Sequence, residues 1–174
     1  MQVLVLSDTH LTAATLDRMP TLVWELAERA DVLLHAGDVT SGAVLDALSE
    51  LAPVHAVLGN NDHDLRGILP EVWEGTLDGV AVAMVHDSGP RAGRERRMAR
   101  RFPAAAVVVF GHSHDPVVER NESGQLLVNP GSPVQRRRQP VHTVAWLELR
   151  AGRVDRAEVI PCPRRPDRTV VPSD

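Results

Sequence analysis

Five aliphatic runs in this chain each lead into a short polar group rich in aspartate, asparagine or histidine. Residues 3–6 lead into Asp8-Thr9-His10, and 32–34 into Gly37-Asp38. Residues 54–58 lead into Gly59-Asn60-Asn61-Asp62, 80–85 into His86, and 107–110 into Gly111-His112-Ser113-His114. Short aliphatic runs bounded by polar or glycine-containing segments read as buried strands. In an α/β sheet, ligand-binding side chains collect outside the carboxyl ends of the strands. Five segments therefore deliver Asp, Asn and His to one rim, a mixture of imidazole and oxygen donors that suits a pair of divalent metals.

The rest of the pattern gives the fold class. Strands over 1–6, 31–36 and 54–58 alternate with helices over 15–30 and 41–51. In the first helix Leu16, Met19, Leu22, Val23, Leu26 and Ala30 make one apolar face, and Pro20 falls near the first turn. Ser41 is the expected N-cap of the second. This order predicts a largely parallel sheet with right-handed crossovers. Beyond it, 72–77 and 80–85 flank Asp78-Gly79, a hairpin turn signal. A basic helix is predicted over 91–101, and strands over 107–110, 117–120, 126–128, 143–149 and 154–160. The second half is expected to form a more antiparallel sheet packed on the first, giving an α/β fold: a four-layer α/β/β/α sandwich of two mixed sheets flanked by helices. One domain is expected over 1–160, with a Pro/Arg-rich tail over 161–174.

Composition narrows the chemistry. At 174 residues the chain can bury about 70% of its unfolded surface, so it needs no cross-link. The lone Cys162 excludes an internal disulfide framework and a cysteine-rich zinc site, and fits a reducing compartment. No run approaches the roughly 20 apolar residues of a membrane span, and the first residues lack a signal-peptide pattern, so a cytoplasmic protein with no membrane partner is expected. All 19 basic residues are arginine, which removes P-loop and Schiff-base lysines. The net charge of −4 and few aromatics argue against a nucleic-acid track.

The ligand candidates are Asp8, His10, Asp38, Asn60, His86, His112 and His114. Asp8 and His10 sit two apart, as do His112 and His114, so each pair shares one side of an extended segment. Asp38 has two carboxylate oxygens with which to bridge two ions, and Gly37 lets the backbone pass close by. Two ions about 3.5–4 Å apart lower the pKa of a bridging water and neutralise phosphoryl charge in an in-line displacement. The signatures of serine hydrolases and zincins are absent.

The ordered set D-x-H, GD, GN-x-D, H and GHSH resembles the calcineurin-like metallophosphoesterases. Gly111 to Pro116 followed by Asn129-Pro130-Gly131-Ser132 is similar to their small cap-less bacterial and archaeal phosphodiesterase branch, which includes the metallophosphoesterase-like subunit of retromer. The resemblance implies Asp8, His10, Asp38 and His114 on one metal, and Asp38, Asn60, His86 and His112 on the other. It implies Mn²⁺ first, with Fe, Zn or Ni as alternatives. The expected activity is hydrolysis of a small phosphate ester, a diester before a monoester, by attack of a metal-bridging hydroxide. The competing expectation is a non-catalytic metal-binding scaffold for protein partners. A homodimer is compatible with the branch. Many members carry histidine where this chain has Asn61, which can donate a hydrogen bond but not a proton, so Asn61 and Asp38 are the expected catalytic pair and poor leaving groups should turn over slowly.

Weaker signals are weighed separately. His35 lies within a buried strand and reads as a hydrogen-bonded core histidine rather than a ligand. Asp62 reads equally as an orienting group or a turn cap. Arg91 to Arg101 reads as a solvated helix face, and Arg136, Arg137 and Arg138 follow the loop at Ser132 closely enough for one to meet an anionic substrate, with no one of them singled out for that role. Trp24, Trp73 and Trp146 read as packing residues.

Overall fold

The computed structural model describes residues 1–163. Its strands are β1 (Gln2–Leu6), β2 (Val32–His35), β3 (Val54–Ala56), β4 (Val72–Leu77), β5 (Val80–Val85), β6 (Val107–Val109), β7 (Val117–Arg120), β8 (Leu126–Asn129), β9 (Thr143–Arg150) and β10 (Arg153–Pro161). Its α-helices are α1 (Thr21–Ala27), α2 (Gly42–Ser49) and α3 (Arg94–Arg101). The strands form two five-stranded sheets, ordered β10-β9-β1-β2-β3 and β4-β5-β6-β8-β7. In the first, β1, β2 and β3 are parallel, while β9 and β10 run antiparallel. In the second, β5, β6 and β8 are parallel, with β4 and β7 antiparallel at the edges.

Strand alternation builds the layers. Val3 and Val5 of β1 enter an apolar cluster with Val82, Met84, Val107 and Val128 of the other sheet, which glues sheet to sheet. Leu4 and Leu6 turn the other way, onto Val23 and Leu26 of α1 and Val44 and Leu48 of α2. On the far side, Val85, Val108 and Leu127 pack with Met98 of α3 and Phe102. Three cores separate four layers, helix, sheet, sheet and helix, as expected from the sequence.

Three expectations need correction. The helix predicted over 15–30 is two pieces: a 3-10 turn at Ala13–Arg18, then α1. Met19 is extended (ψ 128°) ahead of Pro20, because a proline ring crowds the preceding residue out of the helical region. The second half forms the second sheet from β4 to β8 only, without its last two strands. The β9–β10 hairpin instead completes the first sheet beside β1, and the second sheet keeps a parallel centre. The basic helix is shorter than 91–101 and not simply solvated. Arg94 is buried with its guanidinium 4.8 Å from the Phe110 ring centroid, and Arg97 donates to the carbonyls of Ser88 and Pro90. The hairpin at Asp78-Gly79 stands as expected, with both residues at positive φ. At the C-terminus β10 runs through Pro161 and Cys162 is fully buried. The rest of the expected tail, 164–174, lies outside the described residues.

Candidate metal centre

Six parallel strands, three from each sheet, aim their carboxyl ends at one rim. Asp8 and His10 follow β1, Asp38 follows β2, Asn60 follows β3, His86 follows β5, and His112 and His114 follow β6. All seven sequence candidates are brought to this rim. His114 Nε2 lies 3.1 Å from Asp8 Oδ1, and His10 Nε2 lies 3.9 Å from the same oxygen. Asp38 Oδ2 stands between two imidazoles, 3.6 Å from His10 Nε2 and 3.5 Å from His86 Nε2. Asn60 Oδ1 faces His86 Nε2 at 3.1 Å and His112 Nδ1 at 2.9 Å. Asp8, His10 and His114 form one group whose donor atoms all lie within 4.8 Å of one another; Asp8, Asp38 and His86 form another.

Backbone geometry makes this convergence possible. Asp8, His10, Asp38, His112 and His114 all have φ between 47° and 66°, the left-handed region where side chains other than glycine are strained. The two-residue spacings do bring Asp8 to His10 and His112 to His114. They do so through left-handed turns, not through the extended segments expected. Glycines at Gly37 and Gly59 allow the loops to touch. A Cβ on Gly59 would lie 2.3 Å from Asp38 Oδ1, and one on Gly37 2.7 Å from His86 Nδ1.

Each ligand candidate is aimed by a second group. His86 Nδ1 donates to the Ala36 carbonyl at 2.7 Å, and His114 Nδ1 donates to the Gln135 carbonyl, so both rings turn Nε2 to the rim. Asp8 Oδ2 accepts from Ser7 Oγ (2.6 Å) and His112 N (3.0 Å), leaving Oδ1 to the centre. Asp38 Oδ1 accepts from Asn61 N at 2.8 Å, and Asp38 Oδ2 from Asn61 Nδ2 at 2.7 Å. Asp62, balanced between two roles in the sequence, accepts from Asp38 N (2.9 Å), Thr40 N (2.6 Å) and Gly59 N (2.7 Å), so it ties the turn after β2 to the turn after β3. Ser132 Oγ donates to the Asp8 carbonyl, and Asn129 Nδ2 to that of Gly111. Arg137 is the arginine of its triplet that reaches the rim, through the His112 carbonyl at 3.0 Å. His35 is buried against Thr9 Oγ1 at 3.1 Å and holds no position among the ligand candidates. Sequence reasoning missed Ser7, Thr9 and the carbonyls of Ala36 and Gln135, none of which carries a signal in its residue type.

The electrostatics are those of a cation site. Burial alone would raise the Asp8 and Asp38 carboxyls. The neighbouring His114 and His86, with the hydrogen bonds from Ser7 and Asn61, outweigh it and hold both below the usual carboxylate range. Burial lowers His10, against the pull of Asp38 and Asp8. Asp8 Oδ1, His10 Nε2 and His114 Nε2 are buried and make no hydrogen bond. An anionic oxygen and two imidazole nitrogens left this way would be costly on their own. Together they are a fit for a divalent transition metal.

Comparison with known proteins agrees. Residues 1–152 match the calcineurin-like phosphoesterase superfamily domain. A probable metallophosphoesterase of Methanothermobacter thermautotrophicus is 33% identical over 90% of this chain and 90% of its own. A probable metallophosphoesterase of Methanocaldococcus jannaschii is 34% identical over 74% of this chain, spanning 66% of that relative. Among solved structures, an archaeal phosphodiesterase aligns with TM-score 0.68 and 22% identity over 92% of this chain and all of its own. A Vps29 variant of Entamoeba histolytica aligns with TM-score 0.69 and 23% identity over 92% of this chain and 99% of its own. At these identities the two structures establish the shared fold.

Proposed function

The chain belongs to the calcineurin-like phosphoesterase superfamily, and from that premise we propose that it is a phosphodiesterase acting on small phosphate esters through two divalent cations, manganese first. The observation that carries this reading is the trio of buried, unbonded donor atoms on Asp8, His10 and His114 beside an Asp38 oxygen that faces His10 and His86 at once. Asp8, His10, Asp38 and His114 would hold one ion, and Asp38, Asn60, His86 and His112 the other. Asp38 is the better bridge than Asp8, because its Oδ2 faces one imidazole from each group, His10 and His86, whereas Asp8 Oδ1 faces His10 and His114 of one group alone. When bound, two such ions activate water and neutralise charge on a phosphoryl group.

The chain's own residues do the rest. The carbonyls of Ala36 and Gln135 fix the imidazole tautomers, so that Nε2 of His86 and His114 presents a lone pair. Asn61 steadies the carboxylate of Asp38 and can donate a hydrogen bond to a leaving oxygen. It has no proton to transfer, and this favours esters whose alcohols leave unaided.

The test is hydrolysis of bis(4-nitrophenyl) phosphate by chelator-stripped protein with Mn²⁺ added back. Rescue is expected, with 4-nitrophenyl phosphate the slower substrate. Asp38→Asn should lower the rescued rate by more than roughly 100-fold, beyond what loss of a supporting residue costs. The second reading, a metal-binding scaffold on the same fold, is favoured by the likeness to Vps29. Metal binding with no rescued turnover would establish it in place of the enzyme.

A further inference from the structure

A groove of about 600 Å³ opens beside the centre on the side of Asn60, His86 and His112. Its apolar lining comes from Leu58, Leu69 and Val85. Two guanidinium groups stand on its walls from distant parts of the chain: Arg66, in the loop after Asp62, and Arg101, at the end of α3. Both are exposed, and among the described residues neither is ion-paired; Arg101 rests its guanidinium 5.1 Å from the Phe102 ring centroid. Glu71 and Asp87 also line the groove, so it is no general attractor of anions. Asp87, however, is turned back onto the Gly89 amide at 2.7 Å. Ile68, on the same loop as Arg66, is 72% exposed. A second cavity, lined by Arg91, Arg96 and Asn121 among others, includes none of the ligand candidates.

A phosphodiester held at the metals must send one arm somewhere. This groove begins at three of the candidate ligands, and its walls combine apolar surface with two arginines free to fork onto an anion. We propose that the groove is the subsite for the second ester arm and selects arms with an apolar body and a distal anionic group, a phosphate or a carboxylate. This rests on the phosphodiesterase reading above and adds a substrate class to it.

Two 4-nitrophenyl esters of thymidine 5′-phosphate, one with a 3′-phosphate and one with a free 3′-hydroxyl, share their leaving group and differ only in the distal anion. On the manganese-loaded protein the 3′-phosphorylated ester should have the higher kcat/KM by at least about tenfold, the gain of one charge-assisted hydrogen bond. By calorimetry, thymidine 3′,5′-bisphosphate should bind more tightly than thymidine 5′-monophosphate by a similar factor. Arg66→Ala and Arg101→Ala should erase both preferences, with bis(4-nitrophenyl) phosphate turnover unchanged, and Arg66→Lys should restore part of them. Turnover of bis(4-nitrophenyl) phosphate with no preference between the paired esters would overturn the subsite and leave the phosphodiesterase standing. An equal loss on all substrates in the arginine variants would overturn it too. Absence of turnover on every diester would remove both.

Discussion

Asp62 shows how much of the rim is shaped by residues outside the ligand candidates. Its carboxylate gathers three backbone amides from two turns and so sets the height of Asp38 against Asn60. Asp62→Asn keeps the shape and removes the charge. It should weaken manganese binding by roughly 10- to 100-fold, read by calorimetry, with the fold intact. His35 gives a second test. Burial pushes its imidazole down to about 4 from an ordinary 6.5, against the pull of Asp62. The unfolded chain therefore takes up a proton between pH 6.5 and 4 that the folded chain refuses. Stability is full above 6.5 and falls as pH drops through that window, by at most about 3 kcal/mol from this group. Urea unfolding at pH 7.5 and 5 should show the loss, and His35→Gln should flatten it; an unchanged slope would mean that His35 is not the group responsible. The residues that converge on the rim were legible in the sequence because the capacity to ligate is a property of side-chain type. The left-handed backbone at Asp8, Asp38 and His112 was not, because φ at those positions is imposed by the loops they join and not by the residues.

Elements were legible where local chemistry decides them. Asp78-Gly79 fixes its hairpin, and Ser41 caps α2 by accepting from Ala43 N. Ser41→Ala should cost about 1 kcal/mol in thermal unfolding without altering metal binding. A cost near zero would mean that the cap is idle. The helix broken at Met19-Pro20 was misjudged because its apolar spacing ran on across the proline, and the proline prevailed. Arg94 and Arg97 were misjudged because charge alone does not tell a solvated face from one folded onto Phe110 or onto loop carbonyls. The β9–β10 hairpin was read correctly as strands and assigned to the wrong sheet. Both sheets offer apolar neighbours, and long-range strand pairing leaves no mark in local periodicity.

At the scale of the whole molecule, two sheets share one core and deliver their parallel strand ends to a common rim. The centre is made from both: Asp8, His10, Asp38 and Asn60 follow strands of the first sheet, and His86, His112 and His114 follow strands of the second. A cation held there would tie sheet to sheet, and ligand-linked stabilisation follows from mass action, about 2.7 kcal/mol at a hundred times Kd. The central claim is the pair of ions, and manganese anomalous diffraction from a crystal soaked in Mn²⁺ tests it most directly. The account predicts two peaks about 3.5–4 Å apart, one beside Asp8, His10 and His114, the other beside Asn60, His86 and His112, with Asp38 between them. A single peak, no peak, or two peaks with Asp38 touching neither would contradict it.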